Sequence, residues 1–102
     1  MKDKFKLIAT CYDKKGNILS KGYNSYTKSH PLQKHFAQLV GHPSKIFLHA
    51  EISALLKSKG KQVHKIHIER FNKAGNTALA APCPICIEAI KAFGVKEISY
   101  TI

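Results

Sequence analysis

Two short segments of the chain carry side chains that could bind one metal ion together. His49 supplies an imidazole and Glu51 a carboxylate, while the motif Pro-Cys-Pro-Ile-Cys at 82–86 supplies the thiols of Cys83 and Cys86. Sulfur and imidazole nitrogen are ligands that suit zinc, and a structural zinc site usually closes with four of them. Three protein ligands leave the fourth position for water, which is the catalytic arrangement. The two segments therefore predict a hydrolytic zinc site.

Both segments lie at the start of a predicted helix. Apolar residues at helical spacing predict one helix over 48–59 and another over 83–93. Cys83 and Cys86 are three positions apart, so both sulfurs can face one ion, and the N-terminus of a helix favours anionic thiolates. Glu51 lies on the same helix as the imidazole, close enough to accept a proton from water at the ion.

The remaining segments predict the sheet that positions these helices. Strands are predicted over 5–12, 18–23, 63–71 and 96–101, and a short helix is predicted over 32–40, where Leu32, Phe36, Leu39 and Val40 have helical spacing. The first two strands form a hairpin around a glycine-containing turn. Strand–helix–strand units with crossovers of this length imply parallel pairing. The fold class is therefore α/β, a sheet with helices on its faces.

Length and composition indicate one soluble domain over residues 1–102. The chain has 102 residues with 44% hydrophobic and 23% charged side chains, which is typical of a globular protein. No apolar run approaches the ~18–20 residues of a membrane span, and the segment 1–6 is too polar for a signal peptide. Three cysteines do not make a disulfide framework, and Cys11 is predicted to be a buried apolar residue. We expect a cytoplasmic protein.

The net charge of the chain is its most unusual property. Lys and Arg number 17 against 6 Asp and Glu, which gives +11, and Arg70 is the one arginine. A strong positive field favours ligands that carry phosphate, whether nucleotides or nucleic acid. Lysine-rich surfaces also arise from solubility alone. Readers of specific DNA sequences usually depend on arginine forks, which this chain nearly lacks.

The two motifs together resemble the signature of zinc-dependent nucleobase deaminases, His-x-Glu followed by Pro-Cys-x-x-Cys. The resemblance extends beyond the signature. Residues 82–90 and 94–100 look like the matching segment of deoxycytidylate deaminases, and Gly-Tyr-Asn at 22–24 looks like a segment of the same family. These matches follow the family order and span residues 18–101 of the chain.

The chain also departs from one branch of these deaminases. Pro84, Ile87 and Glu88 stand where small tetrameric cytidine deaminases carry Gly and then Arg-Gln, which favours the deoxycytidylate and tRNA-adenosine branch. Family members usually continue beyond the position of Ile102, so the resemblance implies a minimal form truncated at the C-terminus. An uncovered edge strand is a liability that association relieves, so we expect a homo-oligomer.

The resemblance implies a fold, a cofactor and a reaction. The fold is a cytidine deaminase-like three-layer α/β/α sandwich around a central mixed sheet of about four strands. His49, Cys83 and Cys86 hold Zn²⁺, and Glu51 carries protons between water, the ring N3 and the leaving ammonia. The reaction replaces the amino group of a base by oxygen.

The resemblance also suggests three residues that contact the substrate. The backbone N–H of Ala50, at a helix N-terminus, is expected to hold the carbonyl of the base. The carbonyl of Pro82 is expected to accept from the exocyclic amine. Asn24, in the Gly-Tyr-Asn segment, is expected to hold a sugar hydroxyl.

The loop after the hairpin supplies three further candidates. Tyr26 could stack on a base, and Lys28 and His30 could grip a substrate phosphate or a nucleic-acid backbone. The alternative is a solvated loop in which His30 is oriented by Pro31.

Other sites fit parts of the same pattern. A lone Cys-x-x-Cys could be a redox pair, although the imidazole and carboxylate would then be unexplained. A closed structural zinc site would need a fourth ligand, and His64 and His67 are the candidates. Glu51 could also be an ordinary acid at a helix N-terminus.

Three functions follow from these observations. The first is hydrolytic deamination of cytosine in a free (deoxy)cytidine nucleoside or nucleotide such as dCMP. The second is the same chemistry on cytosine or adenine in single-stranded DNA or RNA, including tRNA, where the base is unpaired or flipped out. The third is a zinc-binding module of the same fold without activity.

Overall fold

The computed structural model describes residues 6–25 and 27–102 of the chain. In chain order the elements are β1 (Lys6–Tyr12), β2 (Ile18–Tyr23), α1 (Pro31–Leu39), α2 (Ala50–Lys57), β3 (Lys65–Phe71), β4 (Thr77–Ala78), α3 (Pro84–Ala92) and β5 (Glu97–Tyr100). Every predicted strand and helix is present, with boundaries shifted by a residue or two. Phe5, the first residue of the predicted first strand, lies outside the described residues.

The strands form one sheet in which β3 has three partners. β1 lies between β2 and β3 and is antiparallel to both. The other edge of β3 pairs in parallel with β5 along 65–68 and antiparallel with β4 at 70–71. The α/β class and the mixed character of the sheet are thus confirmed.

Two details of the sheet differ from the sequence-based expectation. β4 was not predicted, and with it the described residues form a sheet of five strands instead of about four. At two residues it is too short for any periodic signal. β2 and β3 run in the same direction, but β1 lies between them, so they do not pair. Among the described strands, parallel pairing is found only between β3 and β5, which α3 connects.

The core lies between one face of the sheet and the helices. Ala9 and Cys11 of β1 stand beside Ile68 and Ile66 of β3, and all four side chains are fully buried. The helices add buried apolar side chains to the same cluster, among them Phe36, Ala37, Ile52, Leu55, Ile85 and Ile90. Across the described parts of the chain, no helix has the length and apolarity to cross a membrane.

The backbone of α2 packs directly on β2 because residue 22 is glycine. A Cβ atom at Gly22 would collide with the backbone of Ala50 and Ala54. Two positions earlier, the hydroxyl of Ser20 donates a hydrogen bond of 2.7 Å to the Ala54 carbonyl. This contact fixes the height of α2 above the sheet, and therefore the position of His49 and Glu51 at its start.

Replacement Gly22→Ala is expected to lower the free energy of unfolding by about 3 kcal/mol. The added methyl group would press on the backbone of α2, which cannot move aside as a flexible side chain can. Urea unfolding followed by circular dichroism measures the change. The neighbouring exposed Lys21 provides the control, because Lys21→Ala should change stability by less than about 0.5 kcal/mol. Equal stabilities for the two variants would contradict the close contact.

Candidate active site

Two helix N-termini bring the predicted metal ligands together. His49 is the N-cap residue of α2, Cys83 is the N-cap residue of α3, and Cys86 lies in the first turn of α3. The His49 Nδ1 atom is 3.2 Å from Cys86 Sγ and 3.5 Å from Cys83 Sγ. All three donor atoms lie within 4.8 Å of one another. Residues 34 and 37 positions apart in the sequence thus meet at one point.

These distances fit a tetrahedral zinc ion. At a tetrahedral angle, zinc bonds of ~2.3 Å to sulfur and ~2.0 Å to nitrogen place the two ligand atoms about 3.5 Å apart, close to the nitrogen–sulfur separations in this site. Two thiolates and one neutral imidazole also balance the charge of the ion. His49, Cys83 and Cys86 are therefore positioned to bind zinc, as the sequence predicted.

His64 and His67, the candidates for a fourth ligand, lie away from the cluster of His49, Cys83 and Cys86. His64 Nε2 is 3.0 Å from Glu97 Oε2, and His67 Nδ1 is 2.6 Å from the hydroxyl of Ser99. Neither histidine belongs to the cluster formed by the described residues. The three-ligand set leaves a coordination position for water, which favours catalysis over a closed structural site.

The two thiols differ in acidity. Hydrogen bonds from the Cys86 thiol and from His49 lower the pKa of Cys83 to about 3. The same contact with Cys83, together with burial, raises the pKa of Cys86 well above its usual range. The hydrogen bond to Cys83 also raises the pKa of His49. Near neutral pH the metal-free site therefore holds one thiolate and one thiol.

Zinc uptake at pH 7 is expected to release at least one proton per ion. Zinc binds thiolates, so Cys86 must lose the proton that its raised pKa retains, whereas Cys83 is already ionised. Affinity then rises about tenfold per pH unit for each proton released. Calorimetric titration in buffers of different ionisation enthalpy counts the protons. A count of zero would contradict this description of the thiol pair.

Glu51 lies in the first turn of α2 and is 4% exposed. Its carboxylate lines the same cavity as His49 and Cys83. Burial raises the pKa of Glu51 above its usual range. A carboxyl group whose pKa moves toward neutrality is better suited to accept and return protons at physiological pH. A merely capping acid on a helix surface would be solvated, which Glu51 is not.

A cavity of about 430 Å³ opens beside the three ligands. This volume falls in the range of small-molecule sites, roughly 300–1,000 Å³. The described residues that line it are Leu7, Asn24, Ser25, Ser44, Lys45, Phe47, Leu48, His49, Glu51, Arg70, Ala81 and Cys83. The wall combines apolar side chains with polar and charged ones, which suits a ligand with a flat ring and a polar appendage.

The structure brings some of the predicted substrate contacts to this cavity. Asn24 lines it, and its Oδ1 also accepts a hydrogen bond of 2.9 Å from the backbone of Leu7. Ala50 and Pro82 are sequence neighbours of residues that line the cavity, but they are not part of its wall. The roles of Asn24, Ala50 and Pro82 toward substrate stay predictions.

The loop candidates are placed differently. His30 is the N-cap residue of α1, and its Nδ1 accepts from the backbone of Leu32 at 3.0 Å. The carbonyl of Lys28 accepts from the backbone of Leu48 at 2.9 Å. Neither Lys28 nor His30 is part of the cavity wall formed by the described residues. Tyr26 lies outside the described residues, so all three contacts stay predictions.

One buried residue that positions the site has no sequence signal. Gln33 of α1 is fully buried, and its amide bridges the loop before α2. Nε2 donates to the Lys45 carbonyl at 3.2 Å, and Oε1 accepts from the His49 backbone N–H at 3.2 Å. This bridge holds the zinc ligand at the start of its helix.

Comparison with known proteins gives a family, and two of the similar solved structures are deaminases. A family model described as the zinc-binding region of cytidine and deoxycytidylate deaminases matches residues 1–102. A mutant cytidine deaminase from Mycobacterium tuberculosis has 18% identity and a TM-score of 0.55, over 97% of this chain and 68% of that one. The apo dCMP deaminase from cyanophage S-TIM5 has 24% identity and a TM-score of 0.52, over 95% of this chain and 64% of that one.

These structural matches confirm the predicted cytidine deaminase-like α/β fold. The chain spans about two thirds of the length of each of the two solved structures. No curated protein matches it.

Proposed function

The chain belongs to the family of cytidine and deoxycytidylate deaminase zinc-binding domains, and on that basis we propose that it converts cytosine to uracil in a free (deoxy)cytidine nucleoside or nucleotide such as dCMP. Family membership and the metal site confirm the predicted zinc-dependent hydrolase of the deaminase type. The observation that supports the proposal most is the buried carboxylate of Glu51 beside the three ligands, in a cavity of the size of one small molecule.

The reaction adds water to C4 of the cytosine ring and breaks the C4–N bond, so that ammonia leaves. Zinc, when bound, supplies a Lewis acid that lowers the pKa of water toward about 7. Glu51 accepts a proton from the attacking water and delivers protons to the ring nitrogen and the leaving amine. Burial suits it to this exchange, because a raised pKa lets the carboxyl group both take and give a proton.

The proposed contacts around the base come from residues next to the ligands. The N–H of Ala50 holds the carbonyl of the base, because it lies in the first turn of α2 where N–H groups have no helical partner. The carbonyl of Pro82 accepts from the exocyclic amine. Asn24, on the cavity wall, holds a sugar hydroxyl.

A substrate panel tests the function. Zinc-loaded protein is incubated with deoxycytidine, dCMP, cytidine and CMP, and uracil products and ammonia are measured. We expect uracil product from at least one of the four. No product from any of them would overturn the proposal.

Nucleic acid is the second candidate substrate, and the net charge of +11 favours it. Single-stranded DNA and RNA oligonucleotides in the same assay would show uracil from cytosine or inosine from adenine. Binding should then weaken steeply as salt rises. Absence of product together with binding that ignores salt would exclude this candidate.

Three further properties belong to the same proposal. We propose that residues 1–102 act as one deaminase domain, that it is cytoplasmic, and that it forms a homo-oligomer. Exposed apolar side chains such as Leu79 and Ile98, which are 56% and 42% exposed, are compatible with association. Sedimentation of the zinc-loaded protein measures the oligomeric state.

A further inference from the structure

Two cations line the cavity outside the zinc site. Lys45 lies in the loop before α2, and Arg70 lies near the end of β3. Glu51 is the only carboxylate among the described residues that form the wall, and it is buried. With bound zinc neutralised by its two thiolates, the wall around the remaining space carries a net positive charge. The one arginine of a lysine-rich chain therefore faces the site of the proposed reaction.

Arg70 is held by the short strand that the sequence did not predict. β4 pairs with the end of β3 in a register that places Arg70 opposite Ala78. Arg70 Nη1 donates to the Leu79 carbonyl at 3.3 Å, and the Arg70 backbone N–H donates to Thr101 Oγ1 at 3.2 Å. An anchored side chain loses less conformational entropy when it binds a ligand. A guanidinium also presents five donors in a planar fork that matches phosphate oxygens.

Lys45 is tied to the zinc site through Gln33. The Gln33 amide bonds both the Lys45 carbonyl and the His49 N–H at 3.2 Å. Because this amide is fully buried, the loop that carries Lys45 keeps a fixed position relative to the imidazole. The backbone of Lys45 is thus held next to the zinc site, and its exposed side chain extends from this fixed point at the cavity wall.

We propose that Arg70 and Lys45 select a nucleoside that carries a phosphate ester, so that the preferred substrate is a cytidine or deoxycytidine monophosphate. This inference rests on the proposed function, because it takes the base to lie at the zinc site. A phosphate monoester carries about −1.5 to −2 charges at pH 7, which two cations balance. A cavity of about 430 Å³ suits one small ligand, which favours a mononucleotide over a nucleic-acid strand as the source of the phosphate.

The test compares kcat/KM for dCMP and deoxycytidine. The zinc-loaded wild type should favour dCMP by at least about tenfold, the contribution of a hydrogen bond to a charged group. Arg70→Gln should reduce this ratio by about tenfold or more, mainly through KM. Lys45→Gln should reduce it as well, and since Lys45 is an exposed loop residue, that variant keeps the test decisive if Arg70→Gln does not fold.

Lys57→Gln is the matched control. Lys57 ends α2 with its Nζ 5.7 Å from the ring of Tyr23, and it is not part of the cavity wall that the described residues form. The control should keep the wild-type preference for dCMP. A reduced ratio in Lys57→Gln equal to that in Arg70→Gln would overturn the proposal, because a general loss of positive field would then explain both.

Direct binding separates this proposal from the proposed function. Calorimetry of zinc-loaded protein with dUMP and with deoxyuridine measures phosphate recognition without turnover. If no nucleoside or nucleotide is deaminated, the proposed function fails, but tighter binding of dUMP that Arg70→Gln weakens still supports the phosphate contact. Equal affinities for the two ligands, or an unchanged ratio in both variants, overturn it. Preference for a cytosine-containing oligonucleotide over dCMP overturns the assignment to a mononucleotide.

Discussion

Replacement of Glu51 by glutamine is expected to lower kcat for deamination by about 10²–10⁴-fold, the usual contribution of a general acid–base group. Glutamine has nearly the same volume, so the buried first turn of α2 should keep its packing. The amide cannot accept the proton from water or return it to the base. Zinc content should stay at the wild-type level, because His49, Cys83 and Cys86 supply the ligands. Initial rates on the best substrate of the panel and zinc analysis of the same sample measure both quantities.

Glu88 provides the matched control for this variant. It lies on α3 with a side chain that is 40% exposed and 3.8 Å from Lys91 Nζ. Glu88→Gln removes one carboxylate of the same type, two residues beyond Cys86, and should leave kcat within about twofold of wild type because surface changes have small effects. Wild-type deamination rates in Glu51→Gln would contradict the role of Glu51 as the group that carries protons.

The metal ligands were predictable from the sequence because local helix geometry alone brings together two of the three, Cys83 and Cys86. Cys83 and Cys86 lie three positions apart at the start of a helix, and that spacing places both sulfurs on one side whatever the tertiary fold. The meeting of this pair with His49 depends on the packing of α2 against α3, which no local pattern encodes. The residue types made His49 the natural third ligand, and the resemblance to deaminases supported that choice.

Helical periodicity predicted α1 and most of its buried face, since Phe36 is buried and Leu32 and Val40 pack against the core. The apolar pattern predicted that Leu39 would belong to the buried stripe, yet it is 60% exposed. Gln33 and Ala37 turn inward instead, beside Phe36. A buried glutamine is stable only because both ends of its amide find backbone partners, and those partners come from a distant loop. The residue types alone do not reveal which backbone groups will bond the Gln33 amide.

The sequence did not predict β4 for a related reason, and it therefore did not predict the place of Arg70 on the cavity wall. A two-residue strand has no periodicity, and it forms because the turn at 72–76 folds the chain back against the end of β3. The sequence showed Arg70 only as the single arginine of a basic chain. Its place on the cavity wall follows from that turn and from the pairing of Arg70 with Ala78.

Replacement of Cys86 by alanine is expected to lower zinc affinity by well over a hundredfold, since loss of an outer-shell partner alone costs about 10–100-fold and Cys86 is a direct ligand. Deamination should fall to background, and the rise in melting temperature on zinc addition should disappear, because only a metal that binds the folded state stabilises it. Metal analysis after dialysis and thermal unfolding with and without zinc measure the two effects.

Cys11→Ala is the matched control, because Cys11 is also fully buried but lies on β1 within the core. Cys11→Ala removes the same atom from an equally buried place, so both variants lose similar packing. Cys11→Ala should keep one zinc ion per chain and its stabilisation by zinc, whereas Cys86→Ala loses both. If Cys86→Ala kept its zinc as Cys11→Ala does, the thiol of Cys86 would not be a ligand, and the three-ligand site would be wrong.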